Sequence, residues 1–226
     1  MKICIDAGHN HSGSDTGAIG NNLKEQDINY FVANLLKEKL ENAGISVVMT
    51  RSSLTQNLGN SVNQSLLMRA EISNKENCDY FISIHCNAGG GTGCEVLILK
   101  KGGQAEQLAT PVLKKIVSKL SLRNRGVKEA NLSVLRNTAC PAILVELAFI
   151  DHPTDSLLLR NRQEDFATAI FEGTMEFLGL PLSKSTEDIK EFLTKKWSLS
   201  NPQGVFQLLD SHPYAKDLYQ KIYGSY

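Results

Sequence analysis

Between residues 2 and 178, short apolar runs alternate with longer stretches whose apolar residues recur at steps of three and four. This alternation constrains the fold more than any other feature. Parallel strands need long crossovers, and an amphipathic helix is the usual one. Residues 2–6, 45–49, 80–85, 95–99 and 142–147 read as strands. Residues 23–43, 64–77, 104–120 and 163–178 read as helices, the first with Ile28, Phe31, Val32, Leu35, Leu36 and Leu40 along one face. The fold class expected is α/β, with a central, mostly parallel twisted sheet covered by helices on both faces. In such sheets, sites form where the strands end.

Three strand ends carry reactive side chains. His9 follows the first strand, and His85 closes Ile82-Ser83-Ile84-His85, so both should project from the same edge of the sheet. Glu146 lies inside Pro141-Ala142-Ile143-Leu144-Val145-Glu146-Leu147-Ala148. A carboxylate there costs several kcal/mol to bury unpaired, an objection that falls away if the strand end opens on a polar site. Burial would then raise its pKa toward neutrality, which suits a general acid and base. The alternative is a glutamate that simply faces solvent or pairs with a basic side chain.

Glu25 has two readings. Asn22-Leu23-Lys24-Glu25 fits a capping box, with Glu25 reaching back to the helix cap. It becomes a metal ligand only if the loop after His9 brings the first helical turn back to the sheet edge. His11, two residues from His9, competes as a ligand from within a flexible loop. Two histidines and one carboxylate with a fourth position open make the catalytic zinc pattern, whereas a structural site would be closed by four protein ligands.

Composition narrows the function. Lys+Arg and Asp+Glu number 24 each in 226 residues, which argues against nucleic acid as a partner. No apolar run approaches the ~18 residues of a spanning helix, so stable membrane insertion is not expected. The first residues already read as a strand, with no signal peptide ahead of it. The five cysteines include no C-x-x-C pair, so they suggest buried thiols in a reducing compartment rather than disulfides. Cys86, beside His85, suggests a thiol nucleophile, but adjacent strand residues point to opposite faces. The run Gly89-Gly90-Gly91-Thr92-Gly93 lacks the ending of a phosphate-binding loop and reads as a turn.

Residues 1–180 are therefore expected to form the catalytic domain, 181–186 a linker, and 187–226 a small helical appendage. Seven of the 15 aromatic residues fall from residue 182 onward, which suggests cell-wall targeting or self-association.

Together these residues resemble the zinc-dependent N-acetylmuramoyl-L-alanine amidases of the amidase-3 family, over about residues 1–179. Ile5-Asp6-Ala7-Gly8-His9 resembles the family's opening metal motif, which usually has Pro and a trailing Gly where this chain has Ala7 and Asn10. Ser14-Asp15-Thr16-Gly17-Ala18, Thr50-Arg51 and Arg69 match further recurring positions. Ser83-Ile84-His85-Cys86-Asn87-Ala88 resembles the second histidine motif, and Val145-Glu146-Leu147-Ala148-Phe149-Ile150 the segment with the catalytic glutamate. The family often has Ser-Asn where this chain has Asp151-His152.

The resemblance implies that His9, Glu25 and His85 hold Zn2+ and that Glu146 is catalytic. The implied reaction is hydrolysis of the amide between N-acetylmuramic acid and L-alanine, with peptidoglycan as partner. Alternatives are a zinc carboxypeptidase or a Cys86 peptidase acting on wall stem peptides, and a non-catalytic wall-binding module. A wall-cutting enzyme without an export signal would accumulate in the cytoplasm and be released to the wall, as an endolysin or mother-cell lysin, unless an export signal has been removed.

Overall fold

A computed structural model describes residues 1–182. In chain order the elements are β1 (Lys2–Ala7), β2 (Ile19–Gly20), β3 (Leu23–Lys24), α1 (Glu25–Asn42), β4 (Ser46–Met49), α2 (Val62–Lys75) and β5 (Tyr80–Asn87). They continue with β6 (Cys94–Ile98), α3 (Gln104–Leu120), β7 (Asn124–Glu129), α4 (Ser133–Asn137), β8 (Ala142–Phe149), α5 (Pro153–Asn161) and α6 (Gln163–Leu178).

Six strands form one sheet in the order β4-β1-β5-β8-β6-β7. All neighbours pair in parallel except β6 with β8, which run antiparallel. The expected mostly parallel sheet is thus present, with the two strands at one edge, β6 and β7, running opposite to the other four.

Alternation along the strands splits the core in two. Ile3 and Ile5, Ile82 and Ile84, Val96 and Ile98, and Ile143 and Val145 pack with apolar residues of α1, α3 and α6. The opposite parity, Cys4, Phe81, Ala142 and Leu144, packs with Val134 and Leu135 of α4 and with Leu66 of α2. Helices α3 and α6 meet closely at Gly173, where an added Cβ would stand 2.5 Å from the Val112 Cα. Gly44 ends the α1 segment at φ +82°, a left-handed turn that glycine adopts without steric cost.

Several boundaries differ from the sequence reading for identifiable reasons. Helix α1 begins at Glu25, not at residue 23, because Leu23 and Lys24 pair with Ile19 and Gly20 as a short hairpin. Asn21 and Asn22 turn that hairpin with φ of 47° and 58°, a region Asn tolerates better than most residues. The capping box is therefore absent: Lys24 is the cap residue and makes no side-chain cap bond. Strand β7 escapes a periodicity search because Asn-Arg-Gly-Val-Lys-Glu is an edge strand with few apolar positions. Helix α5 does so because it is nine residues long and begins at Pro153.

Met1–Leu180 forms one compact unit. Among the described residues no helix is long and apolar enough to cross a membrane. Residues 183–186 of the linker expected over 181–186, and the helical appendage expected over 187–226, lie outside the described residues.

Candidate active site

The second parity of the sheet carries polar side chains as the strands approach their ends. Asp6 and Ser83 form one row, and His85, Glu146 and Glu95 form the next: His85 pairs in register with Glu146, and Glu146 with Glu95. Cross-strand partners lie about 5 Å apart on one face. Three strands thus deliver these side chains side by side.

His9 stands just beyond β1 with φ 65°, in the left-handed region that His adopts more readily than branched residues. Gly8 before it permits the approach to β5, since an added Cβ would lie 2.3 Å from the His85 Nε2. The His9 and His85 rings meet edge to face, 4.8 Å between centroids. Glu25 sits between them from the first turn of α1, its Oε1 3.2 Å from the His9 Nε2 and 3.1 Å from the His85 Nδ1. Backbone amides anchor the same carboxylate: Ala18 donates to Oε2 at 2.8 Å and Cys86 to Oε1 at 3.0 Å. Gly17 leaves room for it, because a Cβ there would come within 2.7 Å of the Glu25 side chain.

The loop after β1 therefore does return to α1, and Glu25 joins the two histidines rather than capping its helix. One potential ligand atom from each of the three lies within 4.8 Å of the others. His11 is not part of this group.

Electrostatics sharpen the picture. Burial alone would raise the Glu25 pKa, but hydrogen bonds from His85 and His9 outweigh it and hold the carboxyl well below its usual range. Burial likewise disfavours a charged His9, yet Asp15 and Glu25 push its pKa up to about 9. Glu146 differs. Burial pushes its pKa up to about 7, aided by the nearby charges of Glu25 and Glu95 against that of His85. Its Oε2 is buried and has no hydrogen-bond partner among the described residues. A carboxyl left unsatisfied at the rim of a His/Glu/His cluster is the expected state of a group that waits for a ligand.

Sequence reasoning marked Asp15, Thr50 and Arg69 as matching recurring positions but did not show that they support this cluster, because the support is assembled from distant segments. Asp15 accepts from the His9 Nδ1 at 3.0 Å, which directs the Nε2 toward Glu25. Asp15 is in turn held by the Ser65 hydroxyl and lies 3.6 Å from the Arg69 Nη2. Arg69, fully buried, donates to Asp6 at 2.8 Å, to the Ala7 carbonyl at 2.8 Å and to Asn10 at 3.1 Å. Thr50 and Ser83 complete the Asp6 shell at 2.6 Å each. Asn10, where the resembled motif has Gly, exchanges two bonds with the Leu58 backbone at 2.9 Å and ties the 52–60 loop to the site.

The remaining expectations resolve simply. Cys86 is buried on the opposite face, its thiol pKa is raised by burial, and it contacts the Asn29 Oδ1 at 3.5 Å. Because the thiolate is the nucleophilic form, this cysteine is inert. The glycine loop is a turn held by the segment after β8, with Gly89 and Gly90 donating to Asp151 at 2.7 and 2.8 Å. His152 begins α5 as its cap residue.

Residues 3–176 match the family described as N-acetylmuramoyl-L-alanine amidase (Amidase_3). The chain belongs to this amidase family. An N-acetylmuramoyl-L-alanine amidase of Bacillus licheniformis is 38% identical over 164 residues, 71% of this chain and 61% of that protein. An endolysin of Bacillus phage SPP1 is 35% identical over 188 residues, 79% of this chain and 66% of the phage protein. The chain thus spans less than two thirds of these relatives. A solved N-acetylmuramoyl-L-alanine amidase from Clostridium difficile 630 superimposes with a TM-score of 0.71 at 33% identity, covering 79% of this chain and 96% of that one. The mostly parallel sheet flanked by helices is accordingly the amidase-family fold.

Proposed function

We propose that the protein hydrolyses the amide between N-acetylmuramic acid and L-alanine in bacterial peptidoglycan, with zinc held by His9, Glu25 and His85. The observation that carries this reading is the unpartnered, neutral-range carboxyl of Glu146 on the strand beside His85. Family membership supplies the substrate class.

The donor set fits zinc. Two imidazole nitrogens and a carboxylate oxygen converge, and three protein ligands are the number a catalytic zinc site uses. Zinc bound there supplies Lewis acidity, which polarises a carbonyl and makes water acidic enough to lose a proton near neutral pH. The protein's own groups do the rest. Asp15 fixes the His9 ring through Nδ1, so that Nε2 faces the site. The Glu146 carboxylate takes a proton from the attacking water and returns it to the departing alanine nitrogen, and a pKa near 7 suits both transfers. The products would be glycan bearing free lactyl groups and stem peptides that begin with L-alanine.

Mass spectrometry of digested peptidoglycan tests the reading. Stem peptides with a free N-terminal alanine are expected, absent under chelation and restored by added zinc. Intact muramyl–alanine linkages with shortened stems would instead make the protein a carboxypeptidase.

A second expectation concerns Asp15. Asp15→Ala should weaken zinc binding about 10–100-fold, the usual cost of losing a carboxylate behind a histidine ligand. Competition against a chromogenic chelator reads it, and unchanged affinity would remove Asp15 from the supporting role.

Residence in the cytoplasm followed by release to the wall is our reading of where it acts. Its support is the likeness to a phage endolysin and, at 36% identity, to a sporulation-specific amidase of Bacillus subtilis.

A further inference from the structure

The row of side chains that ends at Glu146 continues across the sheet. Glu95, its antiparallel neighbour, is 7% exposed and charged, and three donors hold it. Asn87 donates to Oε1 at 3.0 Å, the Arg125 Nε to Oε2 at 2.7 Å, and Lys128 to the same oxygen. Two cations on one carboxylate leave one positive charge in excess, at an edge where Glu25 and Glu146 are acidic.

Arg125 is fixed twice. Its Nε is bound to Glu95, and its guanidinium lies over the Phe149 ring, 4.8 Å from the centroid. Phe149 is itself held against Gly91, where an added Cβ would come within 2.4 Å of the ring. The terminal nitrogens of Arg125 make no other hydrogen bond among the described residues, and a quarter of its side chain is exposed. A guanidinium held by its Nε and one face, with its outer fork free, is preorganised for a planar carboxylate.

We propose that Arg125, positioned by Glu95 and Phe149, binds a carboxylate of the wall stem peptide on the leaving-group side of Glu146. The inference rests on the amidase reading and adds a substrate-binding residue to it. Of the two sides of the scissile amide, only the peptide bears carboxylates, so the excess charge marks the direction in which the peptide runs. The backbones of β8 and β7 stand two strand spacings, about 10 Å, apart, and the Arg125 side chain crosses part of that gap to lie over Phe149 of β8, so 10 Å is an upper bound on the reach needed. An extended alanine plus the α-carbon and carboxyl of the next residue spans about 7 Å, and one hydrogen bond adds about 3 Å. The α-carboxylate of an acidic second residue therefore reaches Arg125 while the alanine nitrogen sits at Glu146.

The test uses two soluble muramyl tripeptide amides that differ only in whether the α-carboxyl of the second, glutamyl residue is free or amidated. The full-length protein is expected to prefer the acid by about tenfold or more in kcat/KM, mostly through KM. Arg125→Leu should bring that ratio to within about twofold of one. Arg125→Lys, which keeps a charge without the fork, should recover part of it. A purely structural role would lower both rates together and leave the ratio unchanged. Calorimetric titration of both substrates into the Glu146→Gln protein reads the same discrimination without turnover. Equal use of both substrates by the unsubstituted protein overturns the assignment of Arg125 and leaves the amidase reading standing. Cleavage of neither overturns both.

Discussion

Glu146→Gln should bind zinc as tightly as the unsubstituted protein and turn over peptidoglycan 10²–10⁴-fold more slowly, about the usual worth of general acid–base assistance. Glutamine keeps the size of the side chain and loses only its ability to take a proton. The three residues assigned to the metal stand on β5, on α1 and just beyond β1, and among the described residues none donates a hydrogen bond to Glu146. Zinc affinity and catalysis should therefore separate cleanly in this variant. Stoichiometric zinc by metal analysis and a progress curve on soluble wall fragments give the two readings. A rate above about one tenth of the original would remove Glu146 from proton transfer.

The second large effect is on stability. Arg69→Met should destabilise the domain by about 3–5 kcal/mol, because it strands the Asp6 carboxylate in the core without its cation. Asp6 is fully buried beneath the site, and Arg69 also satisfies the Ala7 carbonyl and Asn10. This is a large part of the 5–15 kcal/mol by which a domain is normally stable. Urea denaturation measures it, and a loss under about 1 kcal/mol would show that the buried pair matters little. Adding Asp6→Asn to Arg69→Met should recover part of the loss, since the orphaned charge is then gone.

The pH dependence has a definite sign. Burial pushes the Asp6 pKa up, but Arg69 and the Ser83 and Thr50 hydroxyls more than offset this and hold it below its ordinary value. The stabilisation is therefore fully present above the unfolded pKa near 3.8 and fades as pH falls through the lower, folded value. Without Arg69 the folded pKa rises, so this stabilising contribution from Asp6 should be absent in the variant.

The sequence discloses those parts of the site that are local. His9 and His85 each follow an apolar run, and Glu146 is conspicuous because it interrupts one. All three could be placed on one sheet edge from periodicity alone. Glu25 could not, since Asn22-Leu23-Lys24-Glu25 matches a helix cap as well as anything else. What decides the matter is a two-residue strand pair and an Asn–Asn turn, too short to show any period. The Asp6–Arg69–Asp15 network was still less accessible. Its members lie up to 63 residues apart, and only the packing of α2 against the sheet joins them. Arg125 was hidden in the polar edge strand that the apolar pattern passes over.

The strand order carries a consequence for synthesis. β8 enters the sheet between β5 and β6, two strands made well before it. A chain emerging from the ribosome can bring His9, Glu25 and His85 together once β5 is out, more than 50 residues before Ala142. The sheet stays in two pieces until β8 fills the gap, a long-range pairing of the kind that folds slowly. Glu146, the proposed proton-transfer carboxylate, is carried by that closing strand. On the proposed function, the three metal ligands would therefore be assembled before the general base, and hydrolytic competence would arrive with the step that joins the two halves of the sheet.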